Sequence, residues 1–122
     1  MPRSEPKIEI RRIYDSPVEG YRVLVDRLWP RGVSKAAARL DEWPRHLAPS
    51  AGLRKWFGHD PARWEEFRAR YRGELAAHPD ELERLRQIAR RRKLVLLFAA
   101  KSLDCNHAIV LREVLSSITS RG

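Results

Sequence analysis

The chain has 122 residues, 43% of them hydrophobic, and a formal charge of +9, with 20 of its 25 basic residues arginine. That length suits one domain, residues 1–122, able to bury about two-thirds of its unfolded surface, and the composition excludes a disordered chain. No apolar run approaches the roughly 20 residues of a bilayer span, so no membrane partner is expected. The start, Met1-Pro2-Arg3-Ser4-Glu5-Pro6, has no apolar core after its charge and does not read as a secretory signal. The single cysteine, Cys105, excludes an internal disulfide and fits a reducing compartment, so the cytoplasm is the expected location.

Ile8, Ile10, Ile13 and Tyr14 predict a short first strand, and Asp15-Ser16-Pro17-Val18-Glu19-Gly20 is turn chemistry. The gap is too short for a helical crossover, so this strand is expected to be an antiparallel neighbour, or an edge, of a second strand over 22–28. Ser34 is placed to cap a short helix through Ala36-Ala37-Ala38. Pro44 and Pro49 keep the stretch from Leu40 to Pro49 irregular, or limit it to a short strand.

Three helices follow. Leu53, Trp56 and Phe57 recur at helical spacing after Ser50, a cap. Asp60-Pro61 reads as N-cap and first helical residue before Trp64, Phe67, Tyr71 and Leu75. His78-Pro79-Asp80 ends that helix and opens the next, with Asp80 and Glu83 as a capping box and Leu82, Leu85, Ile88 and Ala89 as the apolar face. Leu94 to Ala100 is a strand covered on both faces. Ala108, Leu111, Leu115 and Ile118 mark a final helix. The expected fold is α/β: a small three-layer domain with a short, largely parallel or mixed sheet flanked by helices.

Most of the arginine excess reads as solvated helix surface matched by carboxylates, as in Glu66 before Arg70 and Asp80 before Arg84. Arg90-Arg91-Arg92-Lys93 reads as a helix end, where cations favour the dipole, with a nucleic-acid patch as the alternative.

Two strands end in polar clusters. Asp26-Arg27-Leu28-Trp29-Pro30-Arg31-Gly32 follows Val23-Leu24-Val25, and Lys101-Ser102-Leu103-Asp104-Cys105-Asn106-His107 follows the most apolar run. In an open α/β sheet ligands sit outside the carboxyl ends of strands, so parallel neighbours would bring both clusters to one crevice. Arg27, Arg31 and Lys101 then supply charge for an anion, and arginine adds two-point recognition. Asp26 or His107 is the candidate proton-transfer group, and Asn106 would orient the ligand or cap the last helix. Arg54 and His59 are further ligand-binding candidates, on a helix and the turn after it. Trp29 reads as core or pocket wall, Asp60 as a cap, and Cys105 as a small packing residue. The dispersed His46, His59, His78 and His107 lack the spacing of a zinc site, and Cys105 with His107 is too few ligands, so no metal is expected. No phosphate loop, nucleophile elbow or nucleic-acid motif occurs, and no cofactor is indicated.

Leu28-Trp29-Pro30-Arg31-Gly32, Leu47-Ala48-Pro49-Ser50, Leu53-Arg54-Lys55-Trp56-Phe57-Gly58-His59-Asp60-Pro61 and Asn106-His107-Ala108 occur in this order. The series resembles the YeaO-like branch of the bacterial domain-of-unknown-function family numbered 488, over roughly residues 8–118. The resemblance implies a compact bacterial α/β domain and supplies no activity, cofactor or catalytic set. Ser102 stands where an acidic residue is common in the family, and Cys105 where a histidine is common. If those positions serve metal or proton transfer elsewhere, the resemblance implies that this chain lacks that capacity.

The sequence therefore points first to a domain binding an anionic, phosphate- or carboxylate-bearing small molecule, with acid/base chemistry as an extension. Two alternatives stay open: a basic nucleic-acid-associated module, and a protein-interaction domain exposing Trp29 and Trp56.

Overall fold

Leu94-Val95-Leu96-Leu97-Phe98 has no side chain suited to water, and a computed structural model buries all five in the middle of a three-stranded sheet. The structure describes residues 5–15 and 17–116, so Ser16 of the first turn and Ile118 of the last helix lie outside the described residues. The elements are β1 (Ile8–Arg12), β2 (Tyr21–Leu24), α1 (Lys35–Ala38), α2 (Ala51–Phe57), α3 (Trp64–Leu75), α4 (Pro79–Arg91), β3 (Leu94–Phe98) and α5 (His107–Ser116). Among the described residues no helix is long and apolar enough to cross a membrane.

The sheet has the order β1-β3-β2, with both outer strands parallel to β3. The fold is the expected small α/β domain and β1 is an edge strand, the second of the two alternatives, but it is not antiparallel and does not touch β2. The reason is the connection. Residues 13–20, fully extended, reach roughly 26 Å, against about 17 Å for a five-residue strand, so the chain can return without a helix. Ile13 and Val18 pack on Leu24, Val95 and Leu97, covering the sheet face that the helices leave bare. Gly20 ends this return at φ +148°, where an added Cβ would sit 2.7 Å from the Lys93 carbonyl oxygen and 2.9 Å from Val95 Cγ2.

Strand alternation sorts the core. Val23, Val25, Leu94, Leu96 and Phe98 face the side on which Leu53, Phe57, Phe67, Tyr71, Leu85 and Leu111 pack. Leu24, Val95 and Leu97 face the other, under Ile13, Val18, Trp29, Leu40 and Trp43. The three layers are thus helices α2–α5, the sheet, and a thinner layer of loops.

The caps at Ser34 and Ser50 form as expected, accepting from the Ala37 and Leu53 amides. Asp60 accepts from Ala62 N, but it caps a short 3-10 turn over Pro61–Arg63, and α3 proper starts at Trp64. The Asp80–Glu83 capping box does not form. Pro79 is the first residue of α4, which puts His78 at the cap position, and Glu83 bonds Arg86 and Gln87 instead. Arg70 meets Glu66 as expected, whereas Arg84 meets Glu81 and, across to the strand side, Glu42, not Asp80. The Leu40–Pro49 stretch makes one bridge, Val23 to Glu42, and a 3-10 turn over Arg45–Leu47.

Candidate functional site

Because all three strands run parallel, their carboxyl ends share one edge. β2 ends at Leu24, short of the expected 28. Val25 N still donates to Leu97 O, and the chain then turns away at Asp26, whose carbonyl accepts from the Trp43 indole at 2.7 Å. Beyond that edge lies a cavity of about 720 Å³, and all eight residues singled out in the sequence line it: Asp26, Arg27, Arg31, Arg54, His59, Lys101, Asn106 and His107.

Asp26 and His107, which are 81 residues apart, meet at 2.7 Å through Oδ1 and Nε2, each with about 15% of its side chain exposed. The second carboxylate oxygen of Asp26 accepts from Ala99 N at 3.0 Å, tying the end of β2 to the residue after β3. An ionised carboxylate only accepts, so in this pair the donor is His107 Nε2. The Tyr71 ring lies edge-on to the imidazole, 6.5 Å between centroids. Its hydroxyl donates to Leu47 O, and burial, with Glu74 and Asp26 nearby, raises its pKa well above the usual phenol range.

Four cations line the cavity against one carboxylate, Asp26. Arg27 donates Nε to Pro49 O at 3.0 Å, which directs its side chain along the start of α2. Arg31 is exposed, and its carbonyl accepts from the Tyr14 hydroxyl at 2.9 Å. Arg54 and Lys101 are exposed on α2 and on the loop after β3. Among the described residues none of these four makes an ion pair with a carboxylate, although Arg63, Arg68, Arg70, Arg72, Arg84 and Arg86 all do. His59 sits in the left-handed region at φ +58°, directly after Gly58 at φ +54°, the C-cap of α2. Histidine is enriched there among non-glycine residues.

Asn106 takes the capping role, one of the two roles read for it in the sequence. Its side chain is 2% exposed; Oδ1 accepts from Ile109 N and Nδ2 donates to Ser102 O, so the amide caps α5. Ser102 Oγ accepts from the Asp104 and Cys105 amides, and half-buried Cys105 packs against the core, in line with its packing role. Ser102 and Cys105 both line the cavity beside His107. Trp29 is a wall, packed edge-on to Trp43 at 5.2 Å.

Sequence reasoning missed Tyr14, Leu28, Pro49, Phe57 and Phe67 as cavity residues. Tyr14 follows from the strand direction: with β1 parallel, the residues just after it reach the same edge. Phe57 and Phe67 gave only a helical apolar signal, which does not separate core from cavity wall. Glu74, which accepts from both Ser50 N and Ser50 Oγ and so fixes the start of α2, gave no sequence signal.

Comparison with known proteins gives relatives but no structural template. The uncharacterized protein YeaO of Escherichia coli (strain K12) is 46% identical over 114 residues, covering 91% of this chain and 98% of YeaO. The uncharacterized protein Rv3073c of Mycobacterium tuberculosis is 37% identical over 115 residues, covering 92% of this chain and 96% of its own length. No solved structure matches. The family model DUF488-N3i, described as the inactive DUF488-N3 subclade, matches residues 7–121, and the chain belongs to this family.

Proposed function

We propose that this chain binds an anionic small molecule in the cavity outside the carboxyl ends of β2 and β3. The observation that carries the reading is the set Arg27, Arg31, Arg54 and Lys101, four cations without carboxylate partners around one cavity. In a partly enclosed site such groups bond an anion more strongly than neutral donors do, and open α/β sheets bind ligands at this edge. The cytoplasm, expected from the lone cysteine, is where we propose that the ligand is met.

The subclade's description as inactive supports binding without turnover. The Asp26–His107 bond supports an extension in which His107 carries a proton and Asp26 orients it. The nucleic-acid reading has less behind it, since Arg90 meets Glu83, Lys93 meets Glu9 and Arg92 lies over the Tyr21 ring. An interaction surface built on tryptophan is also weaker, because Trp29 packs on Trp43 and Trp56 lies under Arg63 and Arg70.

Isothermal titration with inorganic phosphate and with small carboxylates tests the reading. Arg31→Ala should weaken binding about tenfold, the equivalent of about 1.4 kcal/mol for one charge-assisted contact. Affinity unchanged in Arg31→Ala and in Lys101→Ala would sink the proposal.

A further inference from the structure

We propose that the cavity takes an amphipathic organic anion, a phosphate or carboxylate head joined to an aromatic or aliphatic body, and not an inorganic anion. This deepens the anion-binding reading and rests on it.

Size is the first argument. A cavity of about 720 Å³ lies inside the range of roughly 300–1,000 Å³ that accommodates drug-sized ligands. A single tetrahedral anion among the cations would leave most of that volume to water.

Lining is the second. The same cavity is walled by Leu28, Trp29, Pro30, Pro49, Phe57 and Phe67. Phe57 and Phe67 stack at 4.4 Å between centroids, and Trp64 stacks behind Phe67 at 5.7 Å, which makes this wall a rigid aromatic block. Phe57 and Phe67 belong to the core, and the cavity meets its margin there, so an apolar body placed on this side would extend a buried apolar surface, which is favourable.

Placement is the third. Cation and apolar group come in adjacent pairs. Arg54 and Phe57 are three apart on α2, on one side of the helix, and Arg27 is followed directly by Leu28 and Trp29. Leu28 is 61% exposed and Tyr14 is 46% exposed, both lining the cavity. Apolar surface left open beside unpaired cations matches a ligand with one charged end and one apolar end.

The test is titration of the full chain with phenyl phosphate, benzoate and inorganic phosphate, followed by calorimetry and by shifts of indole NMR signals. At least one aryl anion should bind tenfold or more tighter than inorganic phosphate, with the Trp29 indole signal moving. Arg54→Gln, an exposed substitution that leaves the core intact, should weaken aryl anion binding severalfold. If inorganic phosphate binds as tightly as both aryl anions, the amphipathic inference is overturned and the anion reading survives. If none of the three binds, both are overturned.

Discussion

Asp26 is held from two directions, by His107 on one oxygen and by the Ala99 amide on the other, while its own carbonyl receives the Trp43 indole. Its side chain therefore serves the fold as well as the cavity. Asp26→Ala leaves a half-buried amide and an imidazole without their acceptor, and should cost about 2 kcal/mol, read as a lower urea midpoint at unchanged slope. Asp26→Asn keeps one acceptor and should cost less. Tyr71 is a simpler case. Its buried hydroxyl bonds Leu47 O at 2.6 Å, so Tyr71→Phe leaves a carbonyl unpaired and should lower stability by about 1 kcal/mol in the same measurement. The candidate residues were legible individually because arginine, aspartate and histidine at strand ends are poorly explained by packing. What the sequence did not carry was which polar atoms were already engaged: for Asn106 it left ligand group and cap open, and the amide is engaged as the cap.

At the scale of elements, hydrophobic spacing identified α2 to α5, the Ser34 cap identified α1, and the shortness of its apolar run identified β3 as a buried strand. Direction was harder. The rule that parallel strands need a helical crossover failed at β1 because a short extended loop crosses the sheet face and doubles as its cover. The position that makes this possible is Gly20, where the loop meets β3. At φ +148° and with the Lys93 carbonyl in the way, Gly20→Ala should destabilise by roughly 2 kcal/mol or more, measured by thermal or urea unfolding. A tolerated alanine there would mean that the crossover is not held against β3.

For the whole molecule, charge is distributed unevenly in kind as well as number. On α3 and α4, Arg68, Arg70, Arg72, Arg84, Arg86 and Arg90 pair with glutamates, whereas Arg27, Arg31, Arg54 and Lys101 line the cavity without such a partner among the described residues. Glu42 is the carboxylate that ties α4 to the start of β2. Its carboxylate accepts two bonds from Arg84 and one from the Tyr21 hydroxyl, and the Arg84 bonds hold its pKa below the usual glutamate range. A depressed folded pKa means that its stabilisation is complete above the ordinary glutamate pKa and is lost as pH falls through the lower folded value. Glu42→Gln should accordingly flatten the acid limb of a stability–pH profile, by about 1 kcal/mol or less for a partly exposed pair. An unchanged acid limb would show that the pair contributes nothing.

The sheet order has a temporal meaning as well. The register pairs Ile8 with Leu94 and Tyr21 with that same residue, so each outer strand waits for a partner more than seventy residues further along. On the ribosome, β1 and β2 emerge early and stay without their ladder until Phe98 has been made. Sheet formation is therefore a late, long-range event that depends on closing large loops, the condition under which small domains fold slowly and expose apolar strands while they wait. A nascent chain stalled before β3 would carry no sheet.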